Sequence, residues 1–163
     1  MNEKRRLLGM TLDELKGVAF EAGLPGYAAK QMADWLYKKK VTSIAAMTNI
    51  ASAKRALLEK NFEVGAVPPS DLMKSVDGTI KYLYPAGPGN FVESVYIPTE
   101  DRATLCVSSQ VGCKMNCLFC MTGKQGFTKN LSANEILNQI QSLPETEELT
   151  NIVFMGMGEP LDN

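Results

Sequence analysis

The chain has 163 residues, 45% of them hydrophobic, with 17 Lys and Arg against 18 Asp and Glu and no histidine. That apolar share suffices for an ordinary buried core in one domain or two small ones, while a formal net charge of -1 shows none of the basic excess expected of a nucleic-acid footprint. No apolar run approaches the roughly 18 residues of a membrane helix, and the charged start MNEKRRLLGM lacks the apolar core of a secretory signal, so no membrane partner is expected and the expected compartment is the cytoplasm.

In chain order, the basic clusters at Lys4, Arg5, Arg6 and at Lys38, Lys39, Lys40 can either touch phosphate or sit as solvated helix ends. Thr11 with Glu14 three residues later makes a capping box for a helix whose inner face carries Leu12, Leu15, Val18 and Ala19, and GLPG at 23–26 stops it. A second helix is expected from Tyr27 to Lys39 with Met32, Trp35 and Leu36 inward, followed by shorter ones around Ser43 to Met47 and Ser52 to Lys60. On its apolar stripe the single tryptophan reads as core rather than as a ligand stacker. Residues 1–66 read as a small helical domain.

The composition shifts at Val67-Pro68-Pro69, and beyond it LMKSV, the turn Asp77-Gly78 and TIKYLY read as a hairpin. NFVESVYIP and RATLCVSS supply two more strands, joined by the polar turn at 99–101, so that residues 67–103 form a short β segment. Further on, Ser132 and Glu135 cap a helix with Ile136, Leu137 and Ile140 on its apolar face, and TNIVFM at 150–155 is the continuous apolar run of a strand buried on both faces. Strand, loop, helix and strand make a parallel βαβ unit over 104–163, with functional loops at the C-terminal ends of its strands. One such unit leaves parallel edges unpaired, so the expectation is a piece of a longer α/β protein.

All four cysteines lie in CVSSQVGCKMNCLFCM, residues 106–121. In a reducing compartment such clustering points to metal ligation or chemistry rather than to structural disulfides. Without histidine the usual general base and the usual nitrogen ligand of zinc are both missing. Cys113, Cys117 and Cys120 follow a Cys-x3-Cys-x2-Cys spacing, and three thiolates on one loop can hold three corners of a four-iron cluster while the fourth iron binds another molecule. A closed zinc site would require Cys106, seven residues upstream in a strand, as its fourth ligand. Incidental cysteines in a plain α+β domain are the third option.

CKMNCLFC resembles the CxxxCxxC motif of the radical S-adenosylmethionine (radical SAM) enzymes, and GMGEP at 156–160, one βαβ unit later, resembles their glycine-rich SAM-binding segment. VESVYIPTEDRATLCVSSQVGC, GKQGF and LPGYAAKQMADWLYKK are similar to the RlmN/Cfr family of RNA methyltransferases within that superfamily, over essentially the whole chain. The resemblance implies an α/β fold: a small helical domain over 1–66 of the RNA-binding accessory type, the β segment over 67–103, and over 104–163 the start of a (βα)6 radical SAM barrel, truncated after its second strand. It implies a 4Fe-4S cluster on Cys113, Cys117 and Cys120 and SAM bound through Gly158 and Glu159, with Phe119 packing near the adenine. Taken alone, Phe119 reads equally as a loop aromatic tucked into the core.

The implied reaction methylates adenosine C2 in 23S rRNA and in certain tRNAs through a methylcysteine. C2 is neither nucleophilic nor easily deprotonated, which is why a carbon radical is needed. Glu93 would accept the C2 proton and Cys106 would form the disulfide that releases product; their plain readings are a solvated strand glutamate and a buried strand thiol. The resemblance also implies an electron donor such as flavodoxin and a monomer. The family's methyl-carrying cysteine has no match here, since no cysteine follows Cys120, and the chain alone is expected not to turn over. The competing reading from another class is a non-catalytic RNA-binding module with a zinc-bound four-cysteine knot.

Overall fold

The computed structural model describes residues 4–163, and the chain divides into two compact units after Ala66. In the first unit, Arg5–Arg6 (β1) pairs in parallel with Phe62–Glu63 (β2), around helices Leu12–Glu21 (α1), Ala28–Ala33 (α2) and Ser52–Asn61 (α3). The Thr11–Glu14 capping box is formed in both directions, so two backbone donors at the start of α1 are satisfied by local side chains. Leu15, Val18, Ala28, Ala29, Met32, Leu36, Ile44, Met47 and Leu58 fill the core, each large aliphatic side chain contributing about 1.5–3 kcal/mol by leaving water. Leu12, expected inward, is 38% exposed because it opens the helix ahead of the buried turn.

The helix expected over 27–39 is present but changes pitch. After α2 a π turn spans Asp34–Lys38, with the Lys39 N–H donating to Asp34 O at 3.0 Å. Met32 and Leu36 stay inward, while Trp35 is only half-buried. Its indole N–H donates to Asn49 Oδ1 at 2.5 Å, and Lys39 Nζ lies 3.5 Å from a ring centroid. Trp35 is therefore a rim residue rather than a core one. Arg5 and Arg6 lie in a strand, paired with Glu21 and Glu63, instead of ending a helix.

In the second unit a five-stranded mixed sheet runs in the order Asp71–Lys74 (β3), Ile80–Pro85 (β4), Phe91–Pro98 (β5), Ala103–Cys106 (β6) and Asn151–Val153 (β9). The β3–β4 hairpin closes with a five-residue loop rather than a two-residue turn, Lys74 pairing with Ile80. β6 and β9 pair in parallel, Leu105 opposite Ile152, which gives the expected βαβ connection through helix Ala133–Gln141 (α5). A small antiparallel ribbon, Gln110–Gly112 (β7) with Phe127–Asn130 (β8), brackets the cysteine loop and the short helix Met121–Lys124 (α4).

Tyr82, Tyr84, Val92, Tyr96, Leu105, Val107 and Leu143 form the core on one face of the sheet. The Tyr82 and Tyr96 hydroxyls donate to Glu145 and Glu148 at 2.8 and 2.7 Å, tying the loop after α5 to the strands. α5 has its capping box, Ser132 with Glu135, and the expected Ile136 and Ile140 pack against the core, but polar residues are buried more deeply. Asn134, Asn138 and Gln139 are the buried residues, while Ile136 and Ile140 are partly buried against the core. Each of two amides acts as a piece of strand: Gln139 bonds both the N–H and C=O of Ser108, at 2.9 and 3.0 Å, and Asn138 those of Val67, at 2.7 and 2.8 Å. β3 is exposed along its length, with Leu72 and Met73 in the open. β9 is not buried on both faces either. Among the described residues it pairs with β6 alone, and Ile152, Phe154 and Met155 are 45–79% exposed.

Candidate functional site

Parallel pairing of β6 with β9 sends both following segments out at the same end of the sheet. From β6 the chain passes through β7 into the cysteine loop. At its base Gly112 has φ +76°, and a Cβ there would lie 1.8 Å from Gly126 O, so only glycine lets the two strands of the ribbon close at this point. The Cys113 N–H donates to Gly126 O at 3.0 Å and the Cys120 N–H to Cys117 O at 3.0 Å, which fixes the two ends of the loop.

All four cysteines are free; Cys117 is exposed, and Cys106, Cys113 and Cys120 are half-buried. The Gly123 N–H holds the Cys120 thiol below its ordinary value against the opposing effect of desolvation, with Thr122 adding to the lowering. The donor set suits an iron–sulfur cluster: three free thiols on one loop, one of them acidified, with no carboxylate between them. Their sulfurs are not gathered, since among the described residues no three His, Cys, Asp or Glu side chains converge so as to hold a metal ion. Phe119 is 93% exposed, so it is not tucked into the core, and Leu118 beside it is 89% exposed.

From β9 the chain enters GMGEP, which lies against 107–110. The Gly156 N–H donates to Val107 O at 3.1 Å, the Met157 N–H to Ser108 Oγ at 2.8 Å, and Met157 O accepts from the N–H groups of Ser109 and Gln110 at 2.8 and 3.2 Å. The Glu159 N–H donates to Gln110 Oε1 at 3.0 Å, and its carboxylate accepts from the Leu161 N–H at 3.1 Å, capping the helical turn Pro160–Asp162. Lys114 Nζ reaches Asp162 at 2.9 Å, so the cysteine loop and the segment after GMGEP are joined by an ion pair. Lys114, and behind it Gln110, pull the Asp162 carboxyl below its ordinary range.

Glu93 and Cys106 share the other face of the sheet. Cys106 stands opposite Val95, and Glu93 is two residues before Val95 on β5. Glu93 pairs with Lys81 across β4–β5 at 3.0 Å, both 44% exposed, beside a shallow groove of about 170 Å³ bounded by Asp71, Met73 and Leu83. Burial pushes the Cys106 thiol up, so it stays protonated at neutral pH. The fold thus brings together two sets: the cysteine loop with Gly158 and Glu159 at the strand ends, and Glu93 with Cys106 on one sheet face.

No local sequence signal marks Gln110, Lys114 or Asp162 as part of this site. Gln110 is a polar residue in a short stretch of strand character, and its burial is set by chain segments 20 to 52 residues away. One further signal was available. Residues 1–66 hold eleven Lys and Arg against seven Asp and Glu, and residues 67–163 six against eleven, an asymmetry that the global charge conceals.

Residues 5–64 match the family described as Ribosomal RNA large subunit methyltransferase N-terminal domain, and residues 107–163 match the Radical SAM superfamily. Over all 163 residues the chain is 82% identical to a Parabacteroides distasonis protein named "Probable dual-specificity RNA methyltransferase RlmN", covering 48% of that protein. It is 46% identical over 161 residues to the "Dual-specificity RNA methyltransferase RlmN" of Geotalea uraniireducens, covering 99% of this chain and 47% of that one. A crystal structure of a radical SAM methyltransferase from Sphaerobacter thermophilus superposes with a TM-score of 0.87 at 38% identity, over 98% of this chain and 48% of that one. The chain spans about half the length of the curated relatives it matches.

Proposed function

We propose, on the premise that this chain belongs to the RlmN family of the radical SAM superfamily, that it carries the cluster-binding and SAM-binding half of an RNA methyltransferase acting on adenosine C2 in 23S rRNA and in certain tRNAs. SAM and an iron–sulfur cluster are the cofactors of that superfamily; here the cluster is read as 4Fe-4S, on Cys113, Cys117 and Cys120. When bound, the cluster supplies one electron to SAM and so provides a carbon radical at neutral pH.

The single observation that carries this reading is the junction of the cysteine loop with GMGEP through Gln110, Lys114 and Asp162 at one end of a parallel strand pair. Gly158 and Glu159 are the residues that would hold the SAM amino group, and the exposed ring of Phe119 is available to its adenine. Glu93, paired with Lys81 at 3.0 Å, is the carboxylate suited to take the C2 proton. Cys106, a thiol on the same sheet face, is suited to disulfide release. RNA as the substrate is supported by the basic balance of residues 1–66 and by the exposed rings of Phe20 and Tyr27 there, 87% and 65% accessible. An electron donor such as flavodoxin and a cytoplasmic setting complete the reading. Among the described residues no helix is long and apolar enough to cross a membrane.

The zinc-knot alternative is not favoured, since the segment holding Cys113, Cys117 and Cys120 matches the Radical SAM superfamily. Anaerobic reconstitution with iron and sulfide, followed by reduction and addition of SAM, tests the proposal. The expected result is an electron paramagnetic resonance signal that changes when SAM is added. A reconstituted signal indifferent to SAM contradicts it.

A further inference from the structure

Gln110 is completely buried, and its side-chain amide is used at both ends. Oε1 accepts from the Glu159 N–H at 3.0 Å; Nε2 donates to Asn130 Oδ1 at 3.0 Å and to Asp162 Oδ2 at 2.8 Å. Asp162 Oδ2 also takes Lys114 Nζ at 2.9 Å, and Lys114 is the residue after Cys113, its ammonium 4.3 Å from the Phe127 ring centroid. A continuous chain of polar contacts therefore runs from the backbone of Glu159, through Gln110 and Asp162, to the cysteine loop. Gly158 lies on the same side chain: a Cβ there would be 2.5 Å from Gln110 Cβ.

We propose that Gln110, acting with Asp162, is a positioning residue that sets the spacing between the GMGEP segment and the cysteine loop, and so the affinity for SAM. The inference rests on the reading of GMGEP as the SAM segment. A buried amide could simply glue a core, but every group this one bonds belongs to the ribbon under the cysteine loop or to the segment that follows β9. An apolar residue of similar volume takes the acceptor from the Glu159 N–H and a donor from the exposed Asn130 and the partly exposed Asp162, which keeps Lys114, so these groups turn to water instead of to one another. The GMGEP segment then has its turn geometry but no fixed distance from the sulfurs.

Three variants of the full 163-residue chain test this: Gln110→Met, Gln110→Glu, which keeps an acceptor for Glu159 but meets the Asp162 carboxylate with like charge, and the milder Asp162→Asn at a partly exposed site. Hydrogen exchange read by mass spectrometry on the metal-free chains is expected to quicken about ten-fold at 156–163 for both Gln110 variants, as the loss of one hydrogen bond implies, with exchange in β4 and β5 unchanged. On reconstituted protein of equal iron content, the dissociation constant for SAM is expected to rise about ten-fold in the Gln110 variants and less in Asp162→Asn. Unchanged exchange and unchanged SAM affinity overturn the proposal, as does quickened exchange spread evenly over the second unit, which marks Gln110 as core alone. A wild-type chain that holds iron but ignores SAM instead overturns the functional reading, a result told apart by the wild type alone.

Discussion

Gly158 and Gln110 are in mutual contact, and each restricts what the other can be. With φ at +96° and no room for a methyl group beside Gln110, Gly158→Ala combines backbone strain with a clash. That variant is expected to lose about 1–3 kcal/mol of stability in a urea titration, the range for a residue forced into a sparsely populated conformation. The Lys81–Glu93 pair makes the opposite case. Both groups are 44% exposed, and a pair so open to solvent contributes about 0–1 kcal/mol. Lys81→Ala should therefore melt within a few degrees of the wild type, and a large drop would show that Lys81 supports more than the one carboxylate. What the sequence could name at this scale were residue types and spacings: thiols four and three residues apart, a carboxylate after two glycines. It could not name Gln110, because a lone Gln among Val, Ser and Gly carries no local sign of burial, and its partners are Asn130, Glu159 and Asp162.

Among the elements, those fixed by local chemistry were readable and those fixed by distant partners were not. Both capping boxes depend on side chains three residues apart, and both are formed. Ser132→Ala removes the oxygen that accepts the Glu135 N–H and is expected to cost about 1 kcal/mol in a denaturant titration. Glu135 itself feels desolvation first, yet the bonds from Lys129 and Ser132 together outweigh it and hold its carboxyl below the ordinary range. Its contribution is present above the unfolded carboxyl value near 4.5 and is lost as pH falls through the lower folded value. On α5 the pattern marks Ile136 and Ile140, which pack against the core, but not Gln139 and Asn138, buried by bonding backbone 31 and 71 residues away. β9 is exposed for another reason: an apolar run reports what a strand is suited to bury, and β9 stands at a sheet edge, as the unpaired parallel edges of a single βαβ unit imply.

For the molecule as a whole, the tyrosines that hold the loop after α5 set an alkaline limit. The bond from Tyr96 to Glu148 pushes its phenol up to about 12, and burial, with Glu145 adding to it, pushes Tyr82 up as well. A phenol raised in the folded state stabilises it fully below the unfolded value near 10 and loses that contribution as pH rises through the folded value. The urea midpoint is expected to be flat from pH 8 to 10 and to fall from there toward 12, less steeply in Tyr96→Phe. The charge asymmetry at Ala66 belongs to this scale too. If residues 1–66 meet RNA phosphates, affinity for a hairpin RNA should fall steeply between 50 and 200 mM salt, and a flat salt dependence would remove the electrostatic support for an RNA substrate.

The central claim is that Cys113, Cys117 and Cys120 hold one four-iron cluster while Cys106 stands apart on its strand. Iron and sulfide content after anaerobic reconstitution tests it most directly, measured on the wild type and on four single cysteine-to-alanine chains. The prediction is about four irons per chain in the wild type and in Cys106→Ala, with Cys113→Ala, Cys117→Ala and Cys120→Ala each losing most of that iron. One zinc and no iron in the wild type, or a Cys106→Ala chain as depleted as the other three, would contradict it.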